Sequence, residues 1–310
     1  MYKVLALAGG VGGAKLVLGL SKILKPEELS IVVNTADDDV FHGLHVSPDV
    51  DTVMYALAGL TNETTGWGIK GDTFRTLSAL KKLGDEDWFQ LGDLDLATHI
   101  KRTSLLHSGK SLSQATDHLA KKLGISHRVI PMSDDPVKTK AITESEELDF
   151  QDYFVRKKCE PAITGIRFDG INNAKPSEKF IEAISEAETI IICPSNPIVS
   201  IPPILELSGI TELISNFHGK TIAVSPIIGK KALKGPAGKM MMELNEDVSS
   251  LGVAKRYVGI CDLFVIDNTD IKEAPDIEEL GINVHITSTI MNSQKDKITL
   301  AKNLLSLISS

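Results

Sequence analysis

Short apolar runs bounded by turn residues recur along the chain: Lys3–Ala8, Ser30–Asn34, Arg128–Pro131, Ala162–Phe168, Thr189–Cys193, Lys220–Ser225, Leu263–Asp267 and Asn283–Ile286. Between several of them the apolar period changes to that of a helix, over Ser177–Ala187, Ile210–Phe217, Val248–Tyr257 and Gln294–Ile308. Strands that are apolar throughout must be covered on both faces, and helices placed between them supply the cover. The pattern predicts a doubly wound α/β fold with a mostly parallel sheet, and ligands outside the carboxyl ends of its strands.

From about Thr52 to Gly124 the texture changes. Strand-like runs vanish and helical patterns dominate over Asp72–Leu83, Leu96–Ser104 and Leu112–Leu123. The expected organisation is a nucleotide-binding core of residues 1–51 and 125–310, with a smaller, mostly helical insert over 52–124.

The first strand runs into Gly9-Gly10-Val11-Gly12-Gly13-Ala14-Lys15, and a helix is expected from Ala14 to Leu24. Glycines here let the backbone approach a bulky anion, and the first-turn N–H groups of the helix point at it. Lys15 opposes the helix dipole and favours an anion nearby. The turn is not a P-loop, because Leu16 follows Lys15, and the third glycine of a dinucleotide fingerprint is replaced by Lys15. A tight turn needing small residues only for packing is the plainer alternative.

Polar loops follow the other predicted strands: Asn34-Thr35-Ala36-Asp37-Asp38-Asp39, Pro194-Ser195-Asn196-Pro197, Ser225-Pro226-Ile227-Ile228-Gly229, and further on Lys234-Gly235-Pro236-Ala237-Gly238-Lys239. One such loop is ordinary turn chemistry. Several at successive strand ends imply a shared ligand site. Gly9, Gly10, Gly12, Gly13, Lys15, Asn34, Ser195, Asn196 and Ser225 are the candidate nucleotide-binding residues.

Ser47-Pro48-Asp49-Val50-Asp51-Thr52 and Leu91-Gly92-Asp93-Leu94-Asp95-Leu96-Ala97-Thr98-His99 each carry two Asp one residue apart, before a predicted helix. Each Asp suits a helix cap. Two together also suit Mg²⁺ shared with substrate phosphates, which makes Asp49, Asp51 and Asp93 candidate ligands. Met132-Ser133-Asp134-Asp135-Pro136 adds further acid. His42 and His45 lack further ligands at zinc spacing, and no G-x-S-x-G elbow is present. Glycines and a lysine for phosphate, paired Asp for a hard cation and no acylation machinery point to phosphoryl-type transfer.

Composition narrows the partners. The chain has 310 residues, is 42% hydrophobic and 24% charged, and has a formal net charge of −8, which argues against nucleic acid or an anionic membrane as partner. Three widely spaced cysteines, Cys159, Cys193 and Cys261, contain no C-x-x-C pair, so a reducing cytoplasm is the expected compartment. The chain enters its first strand without a signal-peptide pattern, and its apolar runs are strand-length.

Seven ordered motifs carry a resemblance that spans Lys3 to about Leu304: G-G-V-G-G-A-K-L (Gly9–Leu16), S-P-D-V-D-T (Ser47–Thr52), L-G-D-L-D-L-A-T-H (Leu91–His99), P-M-S-D-D-P (Pro131–Pro136), P-S-N-P (Pro194–Pro197), S-P-I-I-G (Ser225–Gly229) and G-P-A-G-K (Gly235–Lys239). In this order they resemble the 2-phospho-L-lactate transferase family of coenzyme F-420 biosynthesis. The resemblance implies a Rossmann-like core and Mg²⁺-dependent transfer from a guanosine-diphosphate-activated donor of the lactyl-2-diphospho-5'-guanosine type. The implied acceptor is the ribityl hydroxyl of the deazaflavin alcohol Fo (7,8-didemethyl-8-hydroxy-5-deazariboflavin), and the products are the F-420-0 form and GMP. The group moved is 2-phospholactyl or phosphoenolpyruvyl.

By position, the resemblance makes Asp51 and Gln90 deazaflavin contacts, with Asp93 beside them, and gives the insert part of the deazaflavin pocket. Gln90 stands where many relatives carry Lys or Arg. Asp49 and Asp51 are the candidate catalytic residues, and a homodimer is the expected assembly. The rival from another class is a regulatory nucleotide-sugar-binding protein of the gluconeogenesis-factor type, which shares the glycine turn but not S-P-D-V-D-T. A nicotinamide-dependent dehydrogenase lacks its full fingerprint here.

Overall fold

The computed structural model describes residues 3–232 and 235–308, so Lys234 of the Lys234–Lys239 loop lies outside the described residues. Seven strands form one sheet: β1 (Val4–Ala8), β2 (Leu29–Val33), β3 (Arg128–Pro131), β4 (Thr189–Ile192), β5 (Lys220–Val224), β6 (Leu263–Asp267) and β7 (Asn283–Thr287). Every pairing among them is parallel, in the spatial order β3-β2-β1-β4-β5-β6-β7. The order reverses between β1 and β4, and that reversal is where a doubly wound sheet opens a crevice.

All five residues of β1 are buried because both faces are covered. Val4, Ala6 and Ala8 join one core with α1 (Gly10–Ser21), α2 (Pro48–Ala58) and the C-terminal helix Gln294–Ser306. Leu5 and Leu7 join the other core, with Phe180 and Ile184 of the helix Glu178–Glu186. Burying a Leu or Val side chain in this way contributes about 1.5–3 kcal/mol.

Two expectations change. The run Ala162–Phe168 is a strand (Ile163–Asp169), but it lies outside the parallel sheet. It pairs antiparallel with Lys138–Thr143, which also pairs with Glu147–Asp149. Lys138–Thr143 alternates half-buried with buried positions, as a sheet covered on one face does. The helix expected from Ala14 begins at Gly10, so the glycines form its first turns rather than a loop ahead of it.

The insert contains α3 (Arg75–Lys82), α4 (Asp93–His107) and α5 (Leu112–Lys122). The boundary at residue 52 falls inside α2. Val50, Val53 and Met54 of that helix are fully buried in the core shared with α1 and β2. Leu119 and Ala120 of α5 join the same core. What stands apart from the sheet is therefore the stretch from the end of α2 to α4. No helix among the described residues is long and apolar enough to cross a membrane.

Candidate active site

A cavity of about 560 Å³ opens at the carboxyl ends of the strands, within the size range of small-ligand sites. Its floor is the start of α1, with Gly9, Gly10, Val11, Gly12 and Lys15 at its surface. Ser195 and Asn196 border it from the loop after β4, and Ser225 from the loop after β5. Its outer wall is aromatic, with Trp67, Phe89, Phe150 and Phe154.

The glycines answer mainly to packing. A Cβ on Gly12 would stand 2.1 Å from the Pro194 carbonyl oxygen, and one on Gly13 would stand 2.7 Å from Ser195 Oγ. One on Gly9 would meet Ser200 Cβ at 2.7 Å and Asp49 Oδ2 at 2.8 Å. Gly10 has a φ of +61°, a left-handed conformation that glycine adopts without steric cost. The close approach brings the loops after β1 and β4 together, and the Gly9 N–H donates to Ser195 Oγ at 3.0 Å. Of the first turn of α1, whose N–H groups have no intrahelical acceptors, Gly10, Val11 and Gly12 border the cavity, and the Gly10 N–H donates to Asp49.

Asp49 and Asp51 both line the cavity, and neither caps a helix in the expected way. α2 begins at Pro48, one turn earlier than expected, so both carboxylates lie in its first turn. Asp49 Oδ2 accepts from Asn34 Nδ2 at 3.0 Å. Burial pushes the Asp49 carboxyl up to about 6, against hydrogen bonds from Asn34 and the Gly10 N–H that pull the other way.

Beside it lies Asp37, 7% exposed, a residue of the polar loop after β2 that is not among the candidate site residues named from the sequence. Burial raises the Asp37 carboxyl well above the usual range, and the Asp49 charge raises it further. Asp37 Oδ1 is buried without a hydrogen-bond partner. Two buried carboxyl groups thus stand together at the start of α1, and these two could hold a hard cation. The signal in the sequence was the run Asp37-Asp38-Asp39 at the end of a strand.

Asp51 is held differently. Arg102 of α4, fully buried, donates Nη1 to Asp51 Oδ2 at 3.0 Å and Nη2 to Oδ1. A guanidinium beside Asp51 supplies the positive charge that a metal would otherwise bring.

Three expected residues are placed away from the cavity surface. Asn34 is fully buried; its amide serves Asp49 and its oxygen accepts the Ala36 N–H at 3.0 Å. Gly13 packs against Ala8 and Ser195 behind the floor. Asp93 does not line the cavity: its carboxylate accepts from the Thr73 hydroxyl and from the Arg75 and Thr76 N–H groups at 3.1 and 2.9 Å. It therefore satisfies the start of α3, and hydrogen bonds, that of Thr73 first, lower its carboxyl pKa. The cap reading of Asp93 is the one the geometry carries, though for α3 rather than for its own helix.

Gln90 does line the cavity, with Nε2 donating to the Asp87 carbonyl at 2.7 Å. Ser225 Oγ donates to the Ile227 carbonyl at 3.0 Å, and Asn196 Oδ1 accepts the Ile198 N–H at 2.9 Å. Among the described residues no group of three or more His, Cys, Asp and Glu is gathered for a metal. Mg²⁺ asks for less, since one or two carboxylates suffice where substrate phosphates and water complete the shell.

The parallel sheet, its switch-point crevice and the helix start at the crevice floor define a Rossmann-like α/β protein with a ligand cleft at the strand ends. Residues 4–297 match the family model described as 2-phospho-L-lactate transferase CofD, and the chain belongs to that family. It is 42% identical to the 2-phospho-L-lactate transferase of Methanocaldococcus jannaschii over 100% of this chain and 99% of that one. It is also 42% identical to the enzyme of that name from Methanosarcina acetivorans, over 98% of each chain. Among solved structures, a UPF0052-family protein from Bacillus halodurans shares the fold with a TM-score of 0.65 and 17% identity, covering 98% of both chains.

Proposed function

We propose that this chain transfers a 2-phospholactyl or phosphoenolpyruvyl group from a guanosine-diphosphate-activated donor to the ribityl hydroxyl of Fo, with release of GMP. The observation that carries this reading is one cleft lined by two unlike sets of residues. One set is an amide-lined helix start with Lys15 and the carboxylates Asp37 and Asp49. The other is a wall of Trp67, Phe89, Phe150 and Phe154 with Gln90 and Asp51 beside it. The first suits a diphosphate and a hard cation; the second suits a planar ring carrying hydrogen-bonding groups.

In this reading the donor diphosphate lies over Gly9–Gly12, where the helix amides and Lys15 neutralise its charge. The guanosine runs along Ser195, Asn196 and Ser225. Asp37 and Asp49 would hold Mg²⁺, and the buried oxygen of Asp37 without a partner fits that group. Bound there, the ion would offset charge on the diphosphate and on the departing GMP. Asn34 orients Asp49 from behind. Asp51 contacts the deazaflavin, and the aromatic wall excludes water from the acceptor hydroxyl.

The test is incubation of the purified chain with Fo, Mg²⁺ and synthetic guanosine donors bearing lactate or phosphoenolpyruvate, with products resolved by mass. Formation of a phosphodiester-linked deazaflavin together with GMP supports the reading. Binding of a nucleotide sugar without turnover, and no binding of Fo by fluorescence, refutes it and favours a regulatory binder.

A further inference from the structure

The wall between α2 and α4 holds a polar frame of which the transfer reading uses only Asp51. Arg102 Nη1, besides donating to Asp51 Oδ2, lies 3.3 Å from His99 Nδ1. A guanidinium has donors only, so Nδ1 accepts and the imidazole carries its hydrogen on Nε2. That nitrogen lies 3.1 Å from Asp95 Oδ1, close to the carboxylate but without the geometry of a hydrogen bond. The same oxygen accepts the Tyr55 hydroxyl at 2.6 Å, which closes the frame back onto α2. Asp51, Tyr55, Asp95 and His99 all reach the cavity surface, whereas Arg102 stands behind them with no exposure at all.

We propose that Arg102 is a positioning residue for the acceptor and acts through Asp51. Its fork engages both Asp51 oxygens while Asp51 itself borders the cavity, where a carboxylate so held accepts from O–H or N–H groups of the incoming ring or its side chain. His99 stands beside the pair, its Nδ1 3.3 Å from Arg102 Nη1 and 3.6 Å from Asp51 Oδ2. This inference rests on the reading in which Asp51 contacts the acceptor. It also assigns the two Asp of S-P-D-V-D-T to different substrates: Asp49 to the donor and its cation, Asp51 to the acceptor. The competing account is that the buried pair merely ties α2 to α4.

Steady-state kinetics of the full chain with Mg²⁺, donor and Fo decide between them, using Asp51→Asn, Arg102→Met and the double variant. Arg102→Met is expected to raise the acceptor KM about tenfold or more, the loss that goes with misplacing a charged hydrogen-bond partner. The donor KM stays at the wild-type value. The double variant is expected to be no worse for the acceptor than Asp51→Asn alone, because a residue that acts only through another adds nothing once that other is gone.

Should Arg102→Met fail to fold, Arg102→Lys keeps the charge without the fork and is expected to show the same acceptor-selective loss, at smaller amplitude. An acceptor KM unmoved by Asp51→Asn overturns both the acceptor role of Asp51 and this inference. A raised KM in Asp51→Asn with an unmoved one in both Arg102 variants overturns this inference alone. Equal losses for donor and acceptor, multiplying in the double variant, establish the structural tie instead.

Discussion

Asn34, at the end of β2, donates its side-chain amide to Asp49 Oδ2 at 3.0 Å while its own oxygen is pinned by the Ala36 N–H. The direction of a carboxylate on the first turn of α2 is thus set by the strand across from it. Asn34→Ala leaves a buried oxygen without its donor, at a cost of about 1–3 kcal/mol. It also removes one of the hydrogen bonds that hold the Asp49 pKa down, so the carboxylate becomes harder to ionise. Mg²⁺ affinity, read by isothermal titration with GDP present, is expected to fall, and to fall more at pH 6 than at pH 8.

Asp37 and Asp49 give the metal-free protein an unusual pH dependence. Both carboxyls titrate higher in the folded chain than their ordinary value. The folded state therefore binds protons more tightly, and the stability this contributes is present below about pH 4 and, for Asp49, lost as pH rises through about 6. Asp37→Asn removes one of the two carboxyls whose ionisation burial opposes. Thermal unfolding without Mg²⁺ is expected to show a higher Tm than wild type at pH 7.5, with the difference closing towards pH 4. Added Mg²⁺ is expected to raise the Tm of wild type and not of the variant.

Gly12→Ala tests the seam between the loops after β1 and β4. Its Cβ would stand 2.1 Å from a backbone oxygen, which cannot swing aside as a side-chain tip can. Overpacking of this kind costs about 1–3 kcal/mol. The denaturation midpoint is expected to drop and GDP affinity with it, since Gly9 and Ser195 are drawn apart. Wild-type stability combined with wild-type GDP binding contradicts the seam.

Trp67 lines the cavity yet is 44% exposed. The chain has two tryptophans, so Trp88→Phe isolates its fluorescence. Fo is expected to quench that signal on titration, and Trp67→Ala is expected to raise the acceptor KM while leaving GDP affinity unchanged. Base or ring stacking on one aromatic face contributes about 1–3 kcal/mol, so the KM change should be about tenfold.

Asp93→Ala separates capping from chemistry. The Asp93 carboxylate serves the backbone of Arg75 and Thr76 at the start of α3. The variant is expected to lower the Tm and to keep both KM values. A selective rise in the acceptor KM would return Asp93 to the deazaflavin site.

The parallel sheet was legible because β1, β4 and β5 sit between two helical layers, and burial on both faces writes itself as an unbroken apolar run. The strand Ile163–Asp169 reads similarly over a short window, and only its partner Lys138–Thr143 shows that it belongs to a sheet covered on one face. The cleft was legible from the glycine turn after β1 and the polar loops after β2, β4 and β5. The roles within it were less so, because a D-x-D spacing is the same letter pattern in two places with different surroundings. Asp49 meets Asn34, Asp51 meets Arg102 from a helix about fifty residues further on, and Asp93 meets the start of α3. Asp37 drew no notice because desolvation, which makes it unusual, is a property of the packed state alone.

The close approaches around Gly9, Gly12 and Gly13 exist before any ligand arrives. A side chain at any of the three would push against Ser200 and Asp49, Pro194 or Ser195, so the empty protein already requires the glycines.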